Sequence, residues 1–191
     1  MKKETTLSVL KEIRDILKAQ HMTVDANPFA LSHNIGISAN TVSRELFIIT
    51  DEGKLETSEL LDLCRKKFDV WSIYDNDRLD KNFPPLLKPT TRKFKKVMEA
   101  DEEHANKSAV DLEKEGVQGI TLRERIIMEI QYFDETGKHL DVEKCTLCSG
   151  SRDSDGGVPG ACWGPSGRKF CVDWCGPGGR NANLRARAVV S

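Results

Sequence analysis

Cysteine spacing is the first feature of this sequence that suggests chemistry. Five of the six cysteines lie in the last 47 residues of the 191-residue chain, at Cys145, Cys148, Cys162, Cys171 and Cys175. A C-x-x-C pair such as Cys145 and Cys148 is a common source of zinc ligands, because both thiolates can reach one metal ion. One hypothesis is therefore a structural Zn site formed by Cys145, Cys148, Cys171 and Cys175.

The second cysteine pair of that set lies in residues 168–175, where apolar side chains alternate with other types. This period of two is typical of a half-buried strand. In a strand, Cys171 and Cys175 would be about 13 Å apart, which is too far for one zinc ion or for a disulfide. The pattern predicts that both cysteines lie on the exposed face with Asp173. A small core is expected to be anchored by Trp163, Val172, Trp174 and Leu184.

Composition limits the classes of partner. The net charge is −1, from 29 basic and 30 acidic residues, so no strong overall field draws the chain to nucleic acid or to an anionic membrane. An N-terminus that turns amphipathic at once, without a long apolar run, predicts a cytoplasmic protein with no membrane partner. With 38% apolar residues, two modest domains are expected.

The N-terminal part has the pattern of a small helical domain. Apolar residues at spacings of three and four predict a helix over residues 5–20, followed by a short helix that ends near Gly36. A third helix is expected over residues 38–53, after a tight turn. The layout resembles winged helix-turn-helix DNA-binding domains of bacterial regulators over about residues 5–60. That resemblance implies double-stranded DNA as a partner, contacted by Asn40, Thr41, Ser43 and Arg44. Acidic residues beside the third helix leave a protein-binding module as the alternative.

The middle of the chain is expected to close this first domain. Residues 59–68 predict a further helix, and residues 69–74 predict a strand in which Trp71 and Tyr74 pack inside. Three prolines and many other helix breakers in residues 75–90 predict a linker.

A second domain follows that linker. Residues 121–135 predict a long amphipathic helix that Gly137 ends. The chain then contains, in order, Thr-Gly-Lys-His-Leu-Asp, Cys-Ser-Gly-Ser-Arg, Asp-Gly, Val-Pro and a terminal Leu-Arg-Ala-Arg. With the Leu-Arg-Glu of the helix, this succession resembles the C-terminal portion of variable proteins of diversity-generating retroelements. Those proteins have a C-type-lectin fold related to formylglycine-generating enzymes.

The resemblance implies that some positions of the tail vary between copies of the gene. In that family, error-prone copying at template adenines rewrites chosen codons and leaves the framework unchanged. The residues with identities of that kind would contact an unknown protein or other macromolecular ligand. They are Gly157, Gly160, Cys162, Gly164, Ser166, Gly167, Cys171, Asp173, Cys175, Gly176, Gly178, Gly179, Asn181 and Asn183.

The sequence thus predicts an α+β protein with a winged-helix-like domain at 1–74, a linker at 75–90 and a C-type-lectin-like ligand-binding domain at 91–191. We expect no catalysis and no cofactor, because the sequence has no Ser-His-Asp order and no phosphate-binding glycine loop. One alternative is a winged-helix transcriptional regulator with a C-terminal structural zinc ribbon. Another is an enzyme descended from the formylglycine-generating group.

Overall fold

The computed structural model describes residues 46–164 and 167–191, and these residues form an α+β fold, as predicted. The helices are α1 (Thr57–Arg65), α2 (Asn76–Asn82), α3 (Ala109–Lys114) and α4 (Leu122–Thr136), with a short 3₁₀ helix at Glu102–His104. The strands are β1 (Leu46–Asp51), β2 (Val70–Ser72), β3 (Thr90–Lys95), β4 (Cys145–Leu147), β5 (Val158–Gly164), β6 (Lys169–Cys175) and β7 (Leu184–Ala186). None of the helices in this described part is long and apolar enough to cross a membrane.

β1 and β3 form a two-stranded antiparallel sheet in which Phe47 lies opposite Phe94. The prediction of a helix over residues 38–53 is therefore wrong at β1. Phe47 and Ile49 are buried, whereas Ile48 between them is 40% exposed, which is the alternation of a strand. Aromatic and β-branched side chains favour this extended form, because a helix restricts their χ1 angles.

α1 and β2 confirm the helix and strand that were predicted between residues 59 and 74. The first turn of α1 is capped by Glu59, whose carboxylate accepts a hydrogen bond of 2.8 Å from the Glu56 N–H. Leu60, Leu61 and Cys64 form the buried side of the helix. Burial raises the pKa of the Cys64 thiol to about 12, so this cysteine is an inert core residue.

Residues 75–90, predicted as a linker between domains, contain helix α2 and lie within one compact unit, Val42–Ser191. Leu79 of α2 is fully buried, and Phe83 packs edge-on against Tyr74 with ring centroids 5.4 Å apart. The structure therefore places residues 75–90 inside one unit and not, as was predicted for them, between two domains. The prolines of this segment follow the buried Phe83 in an exposed connection inside the unit.

α4 begins and ends as the sequence predicts. Glu124 Oε2 accepts a hydrogen bond of 2.9 Å from the Thr121 N–H, and Thr121 Oγ1 accepts one of 3.2 Å from the Glu124 N–H. Gly137 follows the helix with a φ of 66°, in the left-handed region that favours glycine. Leu122 and Ile126 are buried on the side of the helix that faces the larger sheet.

The larger sheet has five strands in the order β2-β6-β5-β4-β7. β4, β5 and β6 are antiparallel, while β2 and β7 add to β6 and β4 in parallel. One face of this sheet, which we call the core face, carries Ala161, Phe170 and Val172. These residues are fully buried in the same cluster as Leu122 and Ile126 of α4, so the core face is packed against that helix.

Candidate functional site

The face of the larger sheet opposite the core face, which we call the outer face, carries many of the predicted variable positions. Directly opposed residues of antiparallel strands point to the same side of a sheet, and successive residues point to opposite sides. Since Ala161 and Val172 are opposed on the core face, their neighbours point outward. The outer-face positions of β5 and β6 are the opposed pairs Gly160 and Asp173, Cys162 and Cys171, and Gly164 and Lys169.

β2 extends the outer face with an exposed aromatic residue. Trp71 lies opposite Cys171 in the parallel register and is 44% exposed, as is Ile73. The prediction that Trp71 packs inside is therefore wrong, whereas the same prediction for Tyr74 is confirmed, since Tyr74 is buried. β2 is an edge strand of three residues, and its alternation places Trp71 on the same side of the sheet as Cys171.

A row of side chains crosses the outer face perpendicular to the strands. The register of β4 with β5 continues to Cys145 opposite Cys162, and β7 places Leu184 opposite Cys145. The row therefore reads Leu184, Cys145, Cys162, Cys171, Trp71. Sequence spacing could not reveal this row, because each of its members comes from a different strand.

One end of the outer face is covered by α3. Ala109 and Leu112 of this helix pack in a small second core with residues of β4, β5 and β7. Cys175 packs against the same cluster and is half-buried, whereas Asp173 is exposed. The expected exposure is thus confirmed for Asp173 and is only partial for Cys175.

Two of the predicted contact positions are closed off by neighbouring side chains. Gly157 is buried, and a Cβ there would clash with the indole of Trp174. Gly160 is also buried, and a Cβ there would lie 3.2 Å from Cys145 Sγ. Larger residues at either position therefore require a neighbour to move.

Trp174 is not the core anchor that the sequence predicts. It is 46% exposed, beyond the end of the core face, and its cross-strand partner is Pro159. The prediction is confirmed for Val172, which is fully buried, while Trp163 and Leu184 are half-buried. The period of two in a strand predicts which side of the sheet a side chain lies on. It does not predict how far along the strand the helix covers that side.

The remaining predicted contact positions lie in loops beside the sheet. Gly167 is exposed in the turn between β5 and β6, and Ser166 lies outside the described residues. The loop between β6 and β7 carries Gly176, Gly178, Gly179, Asn181 and Asn183. This loop is tied to α3, since Arg180 pairs with Asp111 at 2.7 Å. The loop positions are therefore held near the covered end of the outer face.

A buried network of charges supports the sheet from its core side. Arg125 Nε donates to Asp141 Oδ2 at 2.9 Å and Nη1 to Glu129 Oε2 at 2.8 Å, while Arg187 Nη2 donates to Asp141 Oδ1 at 2.7 Å. His139 Nδ1 lies 2.9 Å from Glu129 Oε1. Although burial opposes the charge, Asp141 and Glu129 raise the pKa of the Arg125 guanidinium. The network joins α4, the segment before β4 and the residue after β7. Asp141 is the last residue of the Thr-Gly-Lys-His-Leu-Asp motif, and Arg187 is the last residue of the Leu-Arg-Ala-Arg motif.

The chain gives no significant match to any family model, curated protein or solved structure.

The four cysteines of the alternative zinc set do not come together. Cys145 lies on the outer face, whereas Cys148 is fully buried in the main core, and burial raises the pKa of its thiol. Cys171 and Cys175 lie at separate positions along β6, as the strand argument predicts. Among residues 46–164 and 167–191, none of the cysteines belongs to a group of three or more side chains placed to hold a metal ion.

Asp101, Glu103 and His104 do lie close enough together to be considered as ligands. Glu103, however, already pairs with the ammonium group of Lys95, and Asp101 accepts a hydrogen bond of 2.8 Å from the Ala188 N–H. These contacts give the cluster a structural role at the end of the chain.

A cavity of about 530 Å³ lies beside α3, apart from the outer face, and includes Arg92, Glu113 and Arg152 in its lining. Its arginines already have acidic neighbours, with Arg92 3.5 Å from Glu124 and Arg152 3.7 Å from Glu113. The cavity therefore has no uncompensated charge that would select a ligand.

The predicted DNA contacts Asn40, Thr41, Ser43 and Arg44 lie outside the described residues, as do the first two predicted helices. The outer face is thus the candidate site that the structure describes. It is a broad surface with an exposed indole at one edge, thiols across its middle and one carboxylate. Such a surface suits contact with a macromolecule better than enclosure of a small molecule.

Proposed function

We propose that this chain is a ligand-binding protein whose outer face, in a C-type-lectin-like domain, is diversified by a retroelement. An N-terminal module that binds DNA or protein belongs to the same proposal. The binding surface would take a protein or another macromolecule as its ligand. We assign no reaction to it.

One observation carries the proposal. Along β5 and β6, predicted variable positions alternate with residues of the core face. Cys162 and Cys171 are opposed on the outer face, while Ala161 and Val172 are opposed in the core. A gene that rewrites only the outward codons would change the surface and leave the packed core intact.

The outer face also contains a residue suited to carry binding energy. Tryptophan is enriched among the residues that dominate interfaces, because a large rigid ring buries much apolar area at little cost in entropy. Trp71 lies at the end of the row of thiols and outside the predicted variable positions. It would give every diversified copy the same aromatic edge beside a changing centre.

The regulator with a structural zinc ribbon is less well supported. Its four cysteine ligands are divided between the core, the outer face and the covered end of the sheet. A tetrahedral site needs its ligands around one point, so binding would require β6 to unfold.

A paired library tests the binding surface. In the full chain, one library randomises Cys162, Gly164, Cys171 and Asp173, and the control library randomises Ala161, Trp163, Phe170 and Val172 on the same two strands. Both are displayed and selected on immobilised lysozyme as an arbitrary folded protein. We expect most members of the first library to stay folded and to yield binders. The control should yield mainly unfolded chains, because truncating a large buried side chain costs about 2–5 kcal/mol and enlarging Ala161 overpacks the core.

Trp71→Ala in a selected binder should weaken binding at least about tenfold without loss of the fold. If the first library is no better folded than the control, or folds but gives no binders, the outer face is not a diversified binding surface.

The retroelement part is tested at the gene. A near-repeat of the segment that encodes residues 153–183, differing at adenines, should lie close to a reverse-transcriptase gene. The substitutions between template and gene should fall on outward codons such as those of Cys162 and Cys171 and should spare those of Ala161 and Val172. Absence of any repeat at the locus would contradict the proposal of diversification. The proposal of a binding surface would then be tested by the library experiment alone.

A further inference from the structure

Cys145 and Cys162 face each other directly across β4 and β5. Thr146 pairs with Ala161 and Leu147 with Gly160, so the next pair in the antiparallel register is Cys145 with Cys162. Both side chains lie on the outer face, and both thiols are free.

The hydrogen-bond pattern fixes the type of this pair. The Cys148 N–H donates to the Pro159 carbonyl at 2.8 Å, and opposed pairs alternate between hydrogen-bonded and non-hydrogen-bonded types. Three steps along the ladder, Cys145 and Cys162 form a non-hydrogen-bonded pair, for which Cα atoms are about 4.5 Å apart. A disulfide accepts Cα separations of about 4.4–6.8 Å, so the strands need not move to form one.

The pKa values of the two thiols are shifted in opposite directions, as expected for a pair of one attacking and one resolving thiol. A hydrogen bond from the Cys145 thiol lowers the pKa of Cys162, although burial opposes this shift and the charges of Arg125 and Asp141 act in opposite directions. The same hydrogen bond, with burial, raises the pKa of Cys145. Cys162 is half-buried at the open surface, so a small molecule can reach the sulfur that more readily becomes a thiolate.

We propose that Cys162 and Cys145 form a thiol–disulfide exchange site that reacts with low-molecular-weight disulfides. Cys162 is the attacking thiol and Cys145 the resolving thiol. This inference stands on the geometry of β4 and β5 and does not depend on the proposed binding function.

The reaction balances in two steps. The Cys162 thiolate attacks one sulfur of the small disulfide RSSR, its S–S bond breaks, and one thiolate RS⁻ leaves. Cys145 then loses its proton and attacks the Cys162 sulfur of the mixed disulfide, which releases the second RS⁻. The two protein thiols are oxidised to one disulfide, RSSR is reduced to two thiols, and the two protons pass to the departing thiolates.

The other cysteines near Cys162 are placed less well. Cys171 is opposed to Cys162 on β6, but its thiol donates to the Lys169 carbonyl at 3.6 Å. The Cys145 thiol lies farther, 4.0 Å, from the Thr146 carbonyl and is hydrogen-bonded to Cys162. Cys148 points to the core. The structure therefore selects Cys145 as the partner.

Tryptic mapping of the oxidised full chain tests this assignment directly. Cleavage after Lys144, Arg152, Arg168, Lys169 and Arg180 gives peptides 145–152, 153–168 and 170–180, and only the second contains Cys162. The native protein is incubated with oxidised glutathione, free thiols are alkylated, and the non-reduced digest is analysed by mass spectrometry. We expect peptide 145–152 joined to peptide 153–168, with fragment ions that place the bond at Cys145 and leave Cys148 alkylated.

Two matched variants sharpen the result. Cys148→Ser should retain the joined peptides, while Cys145→Ser should lose them and accumulate glutathione on Cys162. Oxidation in guanidinium chloride should spread the bonds over several cysteine pairs, because the register no longer selects one. Joining of 153–168 to 170–180, joined peptides that persist in Cys145→Ser, or a native chain that gives no joined peptide would each overturn the proposal. If a variant does not fold, the fragment ions of the native protein still show whether Cys145 is bonded to Cys162.

Discussion

Asp51 shows at the scale of one residue how this fold uses buried charge. Its carboxylate accepts hydrogen bonds from Arg123 Nε at 2.6 Å and Nη2 at 2.9 Å, and both side chains are buried. Arg123 also donates to Thr57 Oγ1 at 2.9 Å. One carboxylate at the end of β1 thus fixes α4 and the start of α1. Removing it would leave a buried guanidinium without its counter-charge.

Asp51→Asn should lower the free energy of unfolding by about 3–5 kcal/mol at neutral pH, as measured in urea. Burial opposes the charge of Asp51, but the hydrogen bonds from Arg123 and Gly53 hold its pKa below the ordinary value of 3.8. A carboxylate with a lowered folded-state pKa stabilises the fold above the ordinary value and loses that effect as pH falls through the lowered one. The difference between wild type and variant should therefore shrink below about pH 4.

Asp134→Asn is the matched control for Asp51→Asn, since Asp134 is an exposed residue that pairs with Lys67 at 2.6 Å. Its effect should stay at or below about 1 kcal/mol. A deficit for Asp51→Asn that is the same at all pH values would show that lost packing, and not charge pairing, is the cause.

At the scale of elements, local signals predicted much of the structure. α1, α4, β2 and β6 follow from apolar periodicity, and the end of α4 follows from Gly137. β1 was mistaken for helix because Leu46 and Ile49 also fit a spacing of three. Its pairing with β3, more than forty residues away, settles the conformation, and no local pattern contains that information.

The candidate site was predictable only in part for the same reason. Alternation within β6 placed Cys171 and Asp173 outward, because a strand carries its own period of two. The position of Trp71 beside Cys171 joins residues one hundred apart in the chain, and the opposition of Cys145 to Cys162 depends on the register of two strands. Such neighbours are set by topology, so cysteine spacing suggested zinc where the strands instead form a row of thiols.

At the scale of the whole molecule, the network of Arg125, Glu129, Asp141 and Arg187 connects the distant parts of the sheet to α4. Two cations and two anions are enclosed, and each is at most 1% exposed. Their charges cancel as a set. A single substitution leaves a net charge in the core, whereas a suitable pair of substitutions restores neutrality.

This balance predicts that substitutions in the network combine in a way set by charge. Asp141→Asn and Arg187→Met should each cost about 3–5 kcal/mol in the free energy of unfolding, because each leaves one charge without a partner. The double variant keeps Arg125 with Glu129 and should be about 1–3 kcal/mol more stable than the sum of the single effects. Arg125→Met with Arg187→Met removes both cations and leaves two carboxylates, so this double variant should be destabilised by at least the sum of the two single effects.

Urea unfolding of the single and double variants measures the coupling in both cycles. Equal coupling in the two cycles would mean that lost side-chain volume governs these positions and that the network does not act as one neutral unit.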